Sequence, residues 1–205
     1  MYIYWYGQAG FKFQSGDVTI IIDPYSPRKV GLRGPNFKSD IALLTDNHDA
    51  LLAKKDFNKE TFLISAPGEY EIKNNFVYGI KLNETQTIYL VEMDDVKIGV
   101  LGELKNTLNE NIIEKLDDVD VLLVPVGNKK GVLAPEQAAK LIKDIEPKIL
   151  IPSCYKIPGL KTEAESIDKF YREMGLKNPE VLDKARITSR DLEGKEMMTI
   201  VLNPS

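Results

Sequence analysis

Ile41-Ala42-Leu43-Leu44-Thr45-Asp46-Asn47-His48-Asp49-Ala50-Leu51-Leu52 carries the reading of the whole chain. Its opening apolar run, closed by Thr45, predicts a strand over 41–45 with both faces buried. The polar corner that follows holds the only histidine of the sequence, His48. Asp46 and Asp49 flank it, and both suit the cap of the helix that Ala50-Leu51-Leu52 opens. Strand, polar corner and helix together make an α/β unit. The bland role for His48 is that of a polar residue hydrogen-bonded at that corner.

Working outward, the N-terminal half reads as strands. Tyr2–Tyr6 is aromatic and β-branched, Phe11–Gln14 is short, and Val18–Ile22 is a buried run ending at Asp23-Pro24. Arg28–Asn36, with two glycines and a proline, reads as a solvated loop whose Arg28, Lys29 and Arg33 are basic. Phe62–Ser65 is a further strand. Two hairpins follow: Tyr70–Ile72 with Phe76–Ile80 around Lys73-Asn74-Asn75, and Ile88–Met93 with Val96–Leu101 around Asp94-Asp95. Glu69 and Glu71 alternate along the first of these strands and so share a face.

Helices enter in the second half. Asn109–Leu116 is a short helix and Val119–Val126 a fully buried strand. Pro135 stands at the first position of a helix that runs to Ile145, with Ala138, Leu141, Ile142 and Ile145 on one side. Lys148–Ile151 is a strand that Pro152 should end. Thr162-Glu163-Ala164-Glu165 reads as a capping box for a helix stopped by Gly175, and Met197–Leu202 closes the chain as a strand. No linker or repeat divides the sequence, so one α/β domain over 1–205 is expected.

The bulk properties narrow the function classes. With 205 residues, 43% hydrophobic and 28% charged, the chain can bury a core without disulfide staples. One cysteine, Cys154, permits no internal disulfide, which suits a cytoplasmic protein. Twenty-seven Lys and Arg face 31 Asp and Glu, a net charge of −4, which argues against nucleic acid or an anionic membrane as partner. No apolar run nears the ~20 residues of a membrane span, and Met1-Tyr2-Ile3-Tyr4-Trp5 has no signal-peptide character. Phosphate-loop, dinucleotide, nucleophile-elbow and H-E-x-x-H patterns are all absent from the sequence. A single histidine also excludes a two-His or three-His metal centre within one chain.

Taken together, the strand-end segments resemble the metallo-β-lactamase superfamily, in the branch of zinc-dependent hydrolases related to ascorbate-6-phosphate lactonase. The segments are Ile3–Phe11, Ile20–Pro24, Asp40–Thr45, Pro67–Glu71, Val100–Leu104, Val119–Gly127 and Pro147–Tyr155. The resemblance implies a four-layer αββα sandwich and a metal-assisted hydrolysis in which two ions about 3.5–4 Å apart activate water. It also shows that most ligand positions are altered. The T-H-x-H-x-D-H signature falls on Thr45–Leu51, where its histidines are Asp46, His48 and Leu51 and its aspartate is Ala50. The N-terminal histidine of the family corresponds to Gln8, the H-x-G-D motif reads Val100-Leu101-Gly102-Glu103, and the final histidine corresponds to Cys154.

Hydrocarbon at 50, 51 and 100 donates no lone pair, and the loss at 50 removes the residue that would orient or deprotonate the attacking water. The expectation is therefore a non-hydrolytic protein with no cofactor, serving as a small-molecule binder or as a subunit of a homo-oligomer. The alternative is a hydrolase with a single Zn²⁺ held by Asp46, His48, Glu103 and Cys154. By the same resemblance Gln8, Asp23, Asp49 and Tyr155 belong to the pocket, Lys129-Lys130 to its rim, and Leu51 and Val100 stand where they would plug it. A Cys154–His48 nucleophile pair would need approach to within ~3 Å.

Overall fold

The computed structural model describes residues 1–34, 38–46, 57–127, 132–177, 179–194 and 196–205. His48, Asp49, Ala50, Leu51 and the Lys129-Lys130 pair lie outside them. Two sheets make up the molecule. The first has β1 (Tyr2–Gly7), β2 (Gly10–Ser15), β3 (Val18–Ile22), β4 (Ile41–Leu43), β5 (Phe62–Ile64) and β13 (Ala185–Arg186), in the order β13-β1-β2-β3-β4-β5. The second has β6 (Gly68–Ile72), β7 (Asn75–Lys81), β8 (Thr87–Met93), β9 (Val96–Val100), β10 (Val121–Pro125), β11 (Ile149–Ser153), β12 (Glu180–Leu182) and β14 (Met198–Leu202). Its order is β12-β14-β11-β10-β9-β8-β7-β6. The helices among the described residues are α1 (Pro27–Val30), α2 (Glu110–Ile113), α3 (Pro135–Ile145) and α4 (Ile167–Met174).

One apolar core joins the layers. Trp5, Phe13, Ile20, Ile22, Ile41 and Leu43 of the first sheet are buried with Val77, Tyr89, Val91, Val121 and Leu123 of the second. Leu122 and Leu150 belong to the same core as Ala138, Leu141, Ile142 and Ile145 of α3, so the helix face read from the sequence lies against the second sheet. Ile21 and Ala42 alternate with the core-facing residues of β3 and β4 and are fully buried as well, so that sheet is covered on both faces. The result is the mixed α/β sandwich that the resemblance implies.

The three apolar runs read as central strands are interior: β3 and β4 in the first sheet, β10 in the second. Both hairpin turns have two central residues with positive φ, Lys73 and Asn74 in one and Asp94 and Asp95 in the other. That geometry matches the twist of the flanking strands. Each sheet also starts a parallel pair in the same way. The Asp40 carboxylate accepts the Thr19 N–H at 2.8 Å beside β4, and Asp120 accepts the Lys97 N–H at 2.9 Å beside β10. Each also pairs with a lysine, Lys73 and Lys148 respectively.

Four local readings need correction. The strand over 41–45 stops at Leu43, because Thr45 turns its N–H and hydroxyl to Asp23. Pro152 lies inside β11 rather than ending it. The neighbour β14 pairs only with Ile149 and Leu150, so the N–H that proline lacks would have had no partner there. The cap of α4 is Ser166, not Thr162, since Glu165 is held in extended chain by its N–H to Gly127 and its carbonyl to Lys156. β12 and β13 are short edge strands that the sequence reading leaves as loop.

Candidate functional site

The parallel strands of both sheets end on one side of the sandwich, and the residues just beyond them meet there. Asp23 follows β3, Thr45 and Asp46 follow β4, Glu103 follows β9, and Gln8 follows β1. They line a cavity of about 220 Å³ together with Ala9, Pro24, Tyr25, Val30 and Leu44. Ligands in open α/β sheets are received at this end of the strands for the same reason, since loops rather than the ladder supply the walls.

Asp23 is the organising residue. Its two carboxylate oxygens accept the Thr45 N–H at 2.7 Å and the Thr45 hydroxyl at 2.6 Å. This joins the ends of two parallel neighbours, and the Asp23 N–H donates to the Leu43 carbonyl at 2.9 Å in the same place. Burial pushes the Asp23 carboxyl up to about 7. The two Thr45 bonds oppose that shift, and the nearby charges of Glu103 and Asp46 reinforce it. A carboxyl in this position titrates near neutrality, where Asp in water is fully ionised.

Around it the backbone is held by close contacts. Gly102 has φ +59° and its α-carbon sits so near Thr45 that an added Cβ would lie 2.1 Å from Oγ1. The Thr45 carbonyl accepts the Thr87 N–H, and the Gln86 side-chain amide donates to the Glu103 carbonyl at 3.0 Å. These bonds tie the loop after β9 and the end of β4 to β8. Asp46 lies 3.7 Å from the Lys105 ammonium in a half-exposed ion pair at the rim. Tyr25 closes another wall; its hydroxyl donates to the Tyr6 carbonyl, and burial pushes that hydroxyl up to about 12. It therefore remains a neutral phenol at physiological pH.

The residues selected from the sequence separate into three groups. Gln8, Asp23, Asp46 and Glu103 line the cavity. Cys154 and Tyr155 do not. Cys154 is fully buried with Ala9 and Val132, and Tyr155 packs its ring 4.8 Å from that of Trp5. His48 and Asp49 lie outside the described residues. Val100 is 1% exposed in the main core. Sequence reading gave Asp23 the role of stabilising the loop around Thr45–Asp49 without specifying its two bonds to Thr45, and it did not identify Tyr25 as a wall. The available signal was that Asp23 and Thr45 both stand directly after buried strands that would be neighbours.

Comparison with known proteins gives the fold its name. Residues 2–153 match the model of the beta-lactamase superfamily domain, and the chain belongs to that superfamily. A UPF0173 metal-dependent hydrolase of Methanopyrus kandleri is 24% identical over 217 residues, covering 86% of this chain and 94% of that protein. A UPF0173 metal-dependent hydrolase of Pyrobaculum islandicum is 28% identical over 206 residues, covering 80% and 89%. A metallo-beta-lactamase superfamily structure from Thermotoga maritima superposes with a TM-score of 0.82 at 24% identity, over 98% of this chain and 97% of that one.

The donors on hand can be compared with the two-ion centre that the superfamily resemblance implies. Of the corresponding positions, only Asp46 and Glu103 are described with an ionisable side chain at the cavity. Val100 contributes hydrocarbon, and the Cys154 thiol packs with Ala9 and Val132. Among the described residues no three His, Cys, Asp or Glu side chains are grouped to hold an ion. A two-metal centre uses more donors than these described positions offer, and His48, a further position of the signature, lies outside the described residues.

Proposed function

We propose that this protein keeps the superfamily's cavity but uses it to bind a small polar molecule rather than for two-metal hydrolysis. One observation carries the reading: the carboxylate that organises the cavity, Asp23, is committed to Thr45 through both oxygens, and at two positions that the resemblance assigns to ligands Val100 offers hydrocarbon and Cys154 a buried thiol. The lining of Asp46, Glu103 and Gln8 presents hydrogen-bond acceptors to a guest, so amine or amide donors suit it. A volume of about 220 Å³ limits that guest to a compact molecule.

A second reading is a hydrolase with one metal ion, using Asp46, His48 and Glu103. It is favoured by the relatives being named metal-dependent hydrolases and by Asp46 and Glu103 sharing the cavity. Metal content by mass spectrometry separates the two, on protein grown with zinc and manganese supplied. The binding reading expects far less than one ion per chain and a melting temperature unmoved by a chelator. One ion per chain, lost in both His48→Ala and Glu103→Ala, would overturn it in favour of the hydrolase.

A further inference from the structure

Alternate residues of β1 divide between the core and the outer face of the first sheet. Ile3 and Trp5 are buried inside, while Tyr2, Tyr4 and Tyr6 stand half-buried outside. The register sets Lys12 of β2 beside Tyr4, and both Gln14 of β2 and Arg186 of β13 beside Tyr2. Ile21, next to Lys12 on β3, is fully covered, but that cover does not reach β1 and β13. Lys12 is half-buried there, and Lys184 and Arg186 are exposed. The Lys12 ammonium lies 3.9 Å from the centre of the Tyr4 ring. The Lys184 ammonium lies 5.8 Å from the same ring and 4.7 Å from that of Tyr2, and the two rings are 6.5 Å apart.

Among the described residues no carboxylate pairs with Lys12, Lys184 or Arg186. The acids nearest in sequence, Asp17 and Asp183, lie in turns outside the strands, and Asp183 accepts the Asn203 side-chain amide. The ring faces attract the two ammoniums, but a ring carries no net charge to cancel theirs. Burial, and then the charge of Lys184, hold the Lys12 ammonium below the usual lysine range, so an anion between the two would relieve both effects. We propose that Lys12, Lys184 and Arg186, set around the Tyr2–Tyr4 pair, bind a phosphate chain of two or more units. None of these residues lines the cavity at the strand ends, so the site is separate from it and independent of the function proposed there.

Spacing and charge select the ligand class. Lys12 and Arg186 belong to strands on opposite sides of β1, each ~4.8 Å from it, and Lys184 stands two residues, ~6.8 Å, along the chain from Arg186. A single phosphate group is too small to touch all three cations at once. A chain of phosphates carries negative charge at every unit and spans them, and the Arg186 guanidinium offers its fork to two phosphate oxygens. An acidic peptide suits the face less well. Strands direct their N–H and C=O groups along the sheet, so a peptide backbone laid across the rings would find no ladder partners. The net charge of −4 keeps the ligand short, since a long polyanion would meet repulsion beyond this patch.

The test is calorimetric titration of the whole chain with sodium tripolyphosphate, at low ionic strength and again in about 0.15 M salt. One site per chain is expected, with a Kd below about 1 mM at low salt that weakens at least ~fivefold in the higher salt. Lys12→Met and Lys184→Met keep an apolar stem on the rings and remove only the charge, and each should weaken binding at least ~fivefold, as should Arg186→Ala. Lys140→Met, on the exposed side of α3, should leave it unchanged, with circular dichroism confirming that every variant is folded. Orthophosphate should bind at least ~tenfold more weakly than tripolyphosphate. ATP identifies the source of the chain: tighter binding than tripolyphosphate points to a nucleotide whose base stacks on the tyrosines, and equal binding to a bare phosphate chain. No saturation by about 10 mM tripolyphosphate overturns the proposal. So does orthophosphate binding as tightly, or a loss in Lys140→Met as large as in Lys12→Met.

Discussion

Replacing Asp23 by Asn removes one titration while keeping the size of the side chain and an oxygen for the Thr45 N–H. The folded-state value for Asp23 is about 7, against ~3.9 in an unfolded chain. Between those two values the native state binds a proton that the unfolded state has released, so stability falls as pH rises through this window. The full shift of about 3 units, at 1.36 kcal/mol each, sets an upper limit of ~4 kcal/mol for the stabilisation lost between about pH 4 and about pH 7. Asn carries no such term. The stability of Asp23→Asn relative to the parent should climb across that window and level off above it, making the variant the more stable protein in mildly alkaline solution. Urea unfolding followed by circular dichroism, at pH values from about 4.5 to about 8.5, reads the difference directly. Asp46 and Glu103 are present in both proteins, so their common contribution drops out, and the repulsion they exert on Asp23 is part of what is measured. Parallel stability curves for parent and variant would refute the account, and so would a parent that gains stability relative to the variant as pH rises.

Two other outcomes follow from the packing around the cavity. Gly102→Ala places a Cβ 2.1 Å from Thr45 Oγ1 at a φ of +59°, so it combines left-handed strain with loss of a bond to Asp23. A loss of about 3 kcal/mol or more is expected in urea unfolding, and a loss under about 1 kcal/mol would mean Thr45 moves freely. Cys154 is 0% exposed, so Ellman's reagent should modify native protein only as fast as the chain opens and should react at once in urea. Rapid native modification would show the thiol to be accessible and would return Cys154 to the cavity.

Local structure was legible wherever the chemistry is local. Asp94-Asp95 and Lys73-Asn74 tolerate the positive φ of tight hairpin turns, Pro135 suits a first helical position, and Gly175 adopts the left-handed cap that ends α4. The buried runs of β3, β4 and β10 were equally clear, because strands covered on both faces are apolar throughout. What escaped depends on partners distant in sequence. Glu180–Leu182 is mostly exposed and forms a strand only because β14 offers its ladder. Thr162 to Glu165 has the pattern of a capping box, yet tertiary bonds from Glu165 to Gly127 and Lys156 keep it extended. At the site, Asp23 and Thr45 could each be picked out, but not their double hydrogen bond across 22 residues.

The backbone of the cavity suggests why the superfamily's architecture outlasts the donors that the resemblance assigns to it. Gln8 has φ +50°, Asp23 +42° and Cys154 +60°, three non-glycine residues in the left-handed region; Gln8 lies in the tight turn between β1 and β2, and Asp23 and Cys154 directly follow β3 and β11. Each costs roughly 1 kcal/mol or more relative to an ordinary conformation, so the surrounding bonds must over-determine it. Those bonds are present: the Trp5 indole N–H donates to the Gln8 carbonyl at 2.8 Å, and the Cys154 N–H donates to that same oxygen at 3.3 Å. Gly127 then presses so close that an added Cβ would lie 1.9 Å from the Cys154 carbonyl oxygen. A loop frame fixed by backbone contacts does not collapse when its side chains change. In the proposed reading, Gln8 and Cys154 stand where the resemblance sets histidines, and this frame lets the strands still end at a cavity whose side chains decide what enters it.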